Sequence, residues 1–290
     1  MEYYIHTIMV VLKVELGDYM KKLLKIIIIF CSIYLFYLLN NEWLKITSYE
    51  YTSDRIPTSF DGYKIVQVSD LHDAELGKNH SNLIRKVAST EPNIIVITGD
   101  VIDSRRYDLE KSLSAIKQLV EIAPVYYVLG NHEVATNAMD YIYEQLELLG
   151  VHTLKNEHEI IKLNGEELAL VGIEDPLMGM PVNTMIQTAT RGIDSSSFTI
   201  LLSHRPEKFD SYVEQSLDLV FTGHAHGGQI RLPFIGGLIA PSQGWFPEYT
   251  AGLFEAGETT MVVSRGIGNS LFPLRIFNRP EIIEMTLNAH

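Results

Sequence analysis

Five apolar runs in this sequence each end in a side chain that can bind a metal ion. The runs read IVQVSDLH, IIVITGD, VYYVLGNH, FTILLSH and LDLVFTGHAH. A strand buried on both faces is apolar throughout, and the carboxyl ends of parallel strands meet along one edge of a sheet. We therefore expect the terminal side chains of these runs to lie close together. They are Asp70, His72, Asp100, Asn131, His132, His204, His224 and His226.

The chemical types of these side chains favour divalent metal binding. The single cysteine, Cys31, excludes an intramolecular disulfide and a thiolate zinc site. Carboxylate, amide and imidazole ligands without thiolate suit Mn, Fe or Zn. Without His132 these side chains give seven candidate ligands, which are too many for one tetrahedral ion but enough for two ions that share a bridging carboxylate. The pairs Asp70/His72 and His224/His226 are each two residues apart, so an extended backbone would put both members on one face.

Alternating strand-like and helix-like segments must position these ligands. From Tyr63 onward, the first three units follow the βαβ rhythm of a largely parallel sheet. After Gly150 the runs become short and surround an Asn164-Gly165 turn, which indicates antiparallel pairing at 151–154, 158–163 and 167–173. We predict an α/β four-layer sandwich: two mixed β-sheets flanked by helices, with a binuclear metal site at the carboxyl ends of the strands. Helices are expected near 79–89, 108–121, 138–149 and 182–190, and a β-rich tail over 229–287.

The N-terminal region differs from the rest of the chain. The run from Ile26 to Leu39 is apolar and is preceded by three lysines. It is shorter than the ~20 residues typical of a transmembrane helix, so a signal peptide with later secretion is the alternative. No small-residue cleavage pattern follows the run, which favours an uncleaved signal-anchor over residues 20–40. The lysines would keep the amino end in the cytoplasm and place the domain outside the cytoplasmic membrane.

The remaining boundaries follow from local composition. Met20, followed by two lysines, resembles the natural start of a signal-anchor, so residues 1–19 are expected to be an extension ahead of the true start. Residues 41–60 are predicted to be a polar linker. One domain is expected to fill residues 61–290.

Composition excludes one class of partner. A chain of 290 residues with 46% hydrophobic and 20% charged residues is typical of a folded globular protein. Its formal net charge of −13 argues against a nucleic-acid partner, because phosphate backbones are bound through clustered Lys and Arg. An acidic protein that handles phosphate needs local positive charge, which bound metal ions can supply.

The full motif set resembles the calcineurin-like metallophosphoesterase family. In order, the motifs are D-x-H at 70–72, G-D-x-x-D at 99–103, G-N-H-E at 130–133, a lone His204, and G-H-x-H at 223–226. Any one of them alone would be weak, but the complete ordered set is specific and covers about residues 61–287. The stretches 227–229, 264–268 and 278–281 resemble the membrane-anchored bacterial branch, which includes UDP-diacylglucosamine pyrophosphatases.

The resemblance implies roles for the ligands. A hydroxide bridging two divalent ions would attack phosphorus, and a histidine would donate a proton to the leaving oxygen. The implied assignments are Asp70, His72 and His226 to the first ion, Asn131, His204 and His224 to the second, Asp100 to both, and His132 as the general acid.

Three of four neighbouring residues have two interpretations each. Asp103 would support a ligand or cap a helix N-terminus. Glu133 would lie in the first turn of a helix, where negative charge is favoured. Arg105 and Arg106 would touch substrate phosphate or form a solvated charged turn.

The sequence leaves the substrate open. The apolar segment 232–244 would receive an acyl chain, touch the membrane, or form a buried hairpin. With the anchor, it favours a phosphodiester or pyrophosphate of a lipid-linked or cell-envelope substrate. A phosphomonoesterase acting on a small soluble substrate and a non-catalytic, metal-stabilised envelope binding protein are the alternatives. Oligomeric state is not specified by the sequence.

Overall fold

The structure is a computed structural model that describes residues 2–269 and 272–290. Seven α-helices are present in this part of the chain. They are α1 (Glu2–Asn41), α2 (Ser81–Ala88), α3 (Leu109–Leu119), α4 (Asn131–Ala135), α5 (Met139–Leu148), α6 (Val182–Ala189) and α7 (Phe209–Glu214). Four of them, α2, α3, α5 and α6, match the predicted helices closely.

Two six-stranded sheets form the centre of the molecule, with spatial orders β1-β16-β2-β3-β4-β5 and β14-β15-β9-β8-β7-β6. Four very short strands form two additional hairpins, β10-β11 and β12-β13. In chain order the strands are β1 (Lys45–Ser53), β2 (Tyr63–Val68), β3 (Ile94–Thr98), β4 (Val125–Val128), β5 (His152–Thr153), β6 (Glu157–Leu163), β7 (Glu166–Gly172), β8 (Thr199–Leu202), β9 (Leu219–Thr222), β10 (Arg231–Leu232), β11 (Gly236–Gly237), β12 (Ile239–Ala240), β13 (Gly244–Trp245), β14 (Gly252–Ala256), β15 (Thr259–Val263) and β16 (Glu281–Ala289).

Three apolar cores separate four layers, as predicted. The inner faces of the two sheets pack on each other through side chains such as Val96 and Leu202. Helices α2, α3 and α5 cover the outer face of the first sheet, where Ile97 and Leu119 belong to one core. Helices α6 and α7 cover the second sheet, with Tyr212 fully buried. The molecule is therefore a sandwich of helices, sheet, sheet and helices.

The strands that precede the candidate ligands run parallel within each sheet. In the first sheet β2, β3 and β4 are parallel, and in the second sheet β7, β8 and β9 are parallel. The Gln67 side-chain amide donates to Thr98 Oγ1 in the neighbouring strand of its own sheet at 2.8 Å and to the Thr222 carbonyl oxygen of the second sheet at 2.9 Å. This buried amide locks the two sheets together just below the edge where the ligands emerge.

Two details of the predicted organisation were wrong. The segment predicted to be a linker contains β1, which pairs with β16 from Lys45 to Ser53, and Leu44 is buried. The segment looked polar because β1 is an edge strand whose residues are mostly half-exposed. The run at 151–154 is also not antiparallel, since β5 pairs parallel with β4. Antiparallel pairing begins with β6 and β7, around the Asn164-Gly165 turn.

Helix α1 joins the domain at its carboxyl end. Within it, Gly17–Asn41 is long and apolar enough to cross a membrane, with a mean hydropathy of 2.2 over its most apolar window. Residues 2–19, the predicted extension, continue the same helix. Asn41 is buried, and its side chain exchanges two hydrogen bonds with the backbone of Arg275, at 2.8 and 3.3 Å. The end of the helix is therefore built into the fold.

Candidate metal centre

Four of the predicted ligands form one compact group, here called the first half. The Nε2 atoms of His72 and His226 lie 3.1 Å apart. His72 Nε2 is 3.6 Å from Asp100 Oδ2, and His226 Nε2 is 3.5 Å from Asp70 Oδ1. All four side chains are buried, and one ligand atom from each lies within 4.8 Å of the others. This spacing allows the four side chains to surround one ion.

The other ligands form the second half, which shares Asp100 with the first. His204 Nε2 lies 3.2 Å from Asp100 Oδ2, 3.1 Å from His224 Nδ1 and 3.1 Å from Asn131 Oδ1. Asp100 Oδ2 therefore lies near ligand atoms of both halves. All seven predicted ligands converge at one edge, in two groups linked by one carboxylate.

Most ligands occupy tight turns, which corrects the expectation of an extended backbone. Asp70, His72, Asp100, His224 and His226 all have φ between 47° and 64°, in the left-handed region. Non-glycine residues rarely adopt this conformation, and such strain concentrates at functional sites. Each i, i+2 pair converges because the chain turns sharply just after its strand.

Two glycines permit these turns to approach each other. A Cβ atom on Gly130 would lie 2.3 Å from Asp100 Oδ1, and a Cβ atom on Gly223 would lie 2.4 Å from Asp70 Oδ2. Both distances are impossible for a real side chain. Glycine at these positions therefore lets neighbouring loops pack directly against the ligand carboxylates.

Burial and mutual contact decide the protonation of the imidazoles. Burial lowers the pKa of His72 to about 4 and holds the pKa of His226 well below its usual value. Burial alone would also lower the pKa of His204, but the Asp100 carboxylate outweighs it and raises that pKa to about 10. The first-half rings are therefore neutral at pH 7 and offer lone pairs to a cation, whereas at His204 a cation must displace a proton.

His132 lies beside the first half. Its ring packs edge-on against that of His72, with centroids 4.4 Å apart. The Ser104 backbone N–H donates to His132 Nδ1 at 3.0 Å, and Asp103 Oδ1 lies 3.6 Å from the same nitrogen. Because Nδ1 accepts a hydrogen bond, the proton of the neutral ring is on Nε2. Asp103 supports His132 and does not cap a helix; α3 is capped by Asp108.

Glu133 has a larger structural role than a first-turn residue of α4 would suggest. It is 1% exposed, and its carboxylate accepts the backbone N–H groups of Gly130, Asp100 and Ile102 at 2.7, 2.9 and 3.2 Å. Burial raises its pKa to about 7, against the effect of these bonds. Glu133 therefore ties the loop of the shared carboxylate to the loop of Asn131. Its position directly after His132 gave no sign of this burial.

Arg205 was missed by the sequence reasoning. Its buried guanidinium pairs with both carboxylate oxygens of Asp175, and Nη1 lies 2.8 Å from His224 Nε2 and 3.0 Å from Ser242 Oγ. The only signal was its place immediately after His204. Arg106, by contrast, forms an ion pair with Asp103, and its side chain is 59% exposed.

The ligand set fits divalent cations. Oxygen and imidazole ligands without thiolate suit borderline-to-hard ions, and the protein surrounds them with buried apolar strands. The ring nitrogen of His204 that does not face the other ligands, Nδ1, lies 2.7 Å from the Thr98 carbonyl oxygen. Such contacts orient metal-binding imidazoles. The cluster is suitable for a divalent metal site.

Comparison with known proteins decides the family. The family model described as calcineurin-like phosphoesterase matches residues 63–228, more than half of the chain. The chain belongs to the calcineurin-like phosphoesterase family. It is accordingly a hydrolase of the metallophosphoesterase type, and its buried cluster lies on the strand ends that the matched region contains.

Three relatives illustrate the breadth of this family. An uncharacterized metallophosphoesterase, YkuE of Bacillus subtilis, is 31% identical over 87% of this chain and 88% of its own length. The phosphodiesterase YaeI of Escherichia coli is 30% identical over 78% of this chain and 82% of its own. A transmembrane protein with metallophosphoesterase domain from Bos taurus is 31% identical over 84% of this chain, but only 57% of its own length is covered.

Proposed function

We propose that this protein binds two divalent metal ions and hydrolyses a phosphodiester or pyrophosphate bond. The observation that carries the proposal is the pair of buried ligand groups that share Asp100. Asp70, His72 and His226 would hold one ion with Asp100, and Asn131, His204 and His224 would hold the other. The name of the relative YaeI, a phosphodiesterase, supports a diester substrate.

The metal ions and the protein would divide the chemistry between them. Two such ions would neutralise charge on a phosphoryl group and lower the pKa of a water molecule near it. The chain would supply the leaving-group proton from His132 in its charged form: the proton leaves from Nε2, and the proton kept on Nδ1 can be donated to Ser104 Oγ, 3.2 Å away. Donation from His132 to the leaving oxygen would accelerate the reaction by about 10²–10⁴-fold.

An apolar cavity next to the ligands supports a lipid-linked or cell-envelope substrate. The cavity has a volume of about 520 Å³, and His226 forms part of its lining. The segment predicted to receive an acyl chain or form a buried hairpin contributes much of its lining, and it is partly exposed. The lining residues are Gln229, Ile230, Leu238, Ile239, Ala240, Pro241, Ser242, Gly244, Trp245 and Phe272.

The proposal includes a membrane anchor. Helix α1 would cross the cytoplasmic membrane within Gly17–Asn41, through the apolar run from Ile26 to Leu39, and the three lysines just ahead of that run would hold its amino end inside. The metal centre would then lie outside the membrane. The relatives named as transmembrane proteins support an anchored form, in keeping with the membrane-anchored bacterial branch.

A reconstitution experiment with two nitrophenyl substrates tests this function. The purified full chain is stripped with chelator, reloaded with Mn, Fe or Zn, and assayed on bis-nitrophenyl phosphate and nitrophenyl phosphate. We expect about two ions per chain and faster turnover of the diester. Faster turnover of the monoester would instead support the phosphomonoesterase alternative.

Replacing His132 by Ala separates the enzyme from a metal-binding protein without catalysis. Turnover should fall about 10²–10⁴-fold with both ions retained, and the loss should be larger for an alkyl leaving group, which needs the proton more. His152→Ala is the matched control, because His152 is exposed and bonded to Glu159. Full turnover by the His132 variant would remove the general-acid assignment.

A further inference from the structure

One loop of the domain exposes large apolar side chains and carries no charge. The docking loop, defined as residues 232–247, contains no Asp, Glu, Lys or Arg. Phe234 is fully exposed, and Ile235, Trp245 and Phe246 are 62%, 67% and 65% exposed. Soluble monomeric surfaces rarely expose a contiguous group of such residues, and a larger patch marks an interaction site.

The docking loop is connected to α1 through a short series of contacts. Ile230 forms a β-bridge with Ile276, and the Arg231 N–H donates to the Ile276 carbonyl oxygen at 2.9 Å. The next residue, Phe277, packs edge-on against Phe36 of α1, with ring centroids 5.4 Å apart. These contacts place the docking loop near Phe277 and the candidate membrane helix.

The joint between α1 and the domain fixes their relative orientation. Asn41 and Arg275 are buried and bonded to each other through two hydrogen bonds. The Arg275 guanidinium in turn donates to the carbonyl oxygens of Arg265 and Gly268. A helix joined to the domain in this way presents the same face of the domain to whatever surface the helix enters.

We propose that the docking loop inserts its apolar side chains into the bilayer that α1 crosses. The proposal rests on the membrane anchor proposed above. Trp and Phe side chains on an uncharged loop suit the interface between lipid headgroups and acyl chains. Because Ile239 and Trp245 also line the cavity beside His226, that cavity would open toward the lipid surface. The anchor would then position the metal centre as well as retain it.

Fluorescence quenching in lipid nanodiscs tests the docking loop. The full chain is reconstituted in phosphatidylcholine nanodiscs that contain lipids with a nitroxide near the headgroup and lipids with a nitroxide midway along the acyl chain. A bimane label is placed on the native Cys31, which is exposed on α1, or at position 234 in the Cys31→Ser/Phe234→Cys variant. The matched control is Cys31→Ser/Ser195→Cys, since Ser195 is exposed ahead of β8, at the edge of the sheet opposite the ligands.

The labels distinguish failure of the loop from failure of the anchor. We expect the lipid nitroxides to quench the labels at 31 and 234 at least about threefold more than the label at 195, and a water-soluble quencher to show the reverse order. If the label at 31 is quenched but that at 234 responds like 195, the docking loop is not in the bilayer. If 234 is protected from both quenchers, a protein surface covers it, which also overturns the proposal. If 31 itself escapes the lipid nitroxides, the anchor proposal fails.

Discussion

The two halves of the metal centre hold their ligands by different means. The first half contains two carboxylates, Asp70 and Asp100, and the Nδ1 atoms of its two imidazoles have no hydrogen-bond partner among the described residues. The second half has only the shared carboxylate and the amide of Asn131, but its His204 is oriented by the Thr98 carbonyl oxygen. It also lies beside the buried cation Arg205. The first half is thus defined by negative charge, and the second by orienting contacts.

Replacing the shared carboxylate should affect both halves and produce the largest effect. We expect Asp100→Asn to deplete both ions and to lower turnover of bis-nitrophenyl phosphate by about 10³-fold or more, because charge stabilisation is lost at both ions. Metal content by plasma emission spectroscopy and steady-state rates measure this. The control is Asp140→Asn, on the exposed side of α5. Two ions retained per chain in the Asp100 variant would contradict the bridging role.

The difference in charge predicts two unequal binding steps for Mn. The first half should bind more tightly, and Asp70→Asn should weaken that step on the order of 100-fold, since affinity follows the number of charged ligands. The weaker step should remain unchanged. Asn131→Ser should instead weaken the weaker step and leave the tighter step unchanged. Calorimetric titration resolves the two steps, and equal weakening of both in either variant would break the distinction.

The two halves should also respond differently to pH. The raised pKa of His204, about 10, means that a bound proton must leave before an ion binds, so second-half affinity should fall about tenfold per pH unit as pH decreases. The pKa of His72 is already lowered to about 4, so first-half affinity should change little between pH 8 and 6.5. Below that range Asp70 begins to take up a proton, because burial raises its pKa to about 6. Titrations at pH 8 and 6.5 that shift both steps equally would refute this.

Replacing Ser242 tests whether its contact with His224 helps the second half to bind an ion, and this substitution should give the smallest effect. In the structure His224 Nε2 can accept a hydrogen bond from Arg205 Nη1 at 2.8 Å. When Nδ1 of His224 serves as a ligand, Nε2 carries the proton instead, and it must donate to Ser242 Oγ at 3.3 Å because Arg205 has only donors. We expect Ser242→Ala to weaken the second Mn step about tenfold or less. Ser114→Ala, at the half-exposed face of α3, is the control. An effect confined to the first step would assign Ser242 no part in the second half.

Much of the fold was predictable because its signals are local. Buried parallel strands are continuous apolar runs, so β2, β3, β4, β8 and β9 were recognisable, and helical periodicity marked α3 and α5. Strand β1 was not, because its pairing partner β16 lies far along the sequence and an edge strand lacks a fully apolar pattern. The direction of β5 was also missed, since two residues carry too little pattern to show it.

The types of the ligand residues were predictable from the sequence, whereas the contacts that hold these residues in place were not. Asp70, His72 and the other ligands are polar residues at the ends of apolar runs, which is visible in the sequence. The left-handed backbone at Asp100 and His224 depends on loops from distant strands packing together. Glu133 and Arg205 look like ordinary charged residues until the fold buries them. Long-range burial therefore set the limit of what the sequence could show.

The position of β16 has a consequence for how the protein is made. This strand lies between β1 and β2, so Ser48 and Glu284, 236 positions apart, meet across one ladder. The ribosome must deliver almost the whole chain before β1 gains its partner, and contacts this distant in sequence slow folding. Until then, the unpaired strand edges stay exposed and can pair wrongly. Loss of the final nine-residue strand, Glu281–Ala289, should thus be as damaging as loss of a strand from the middle of the domain.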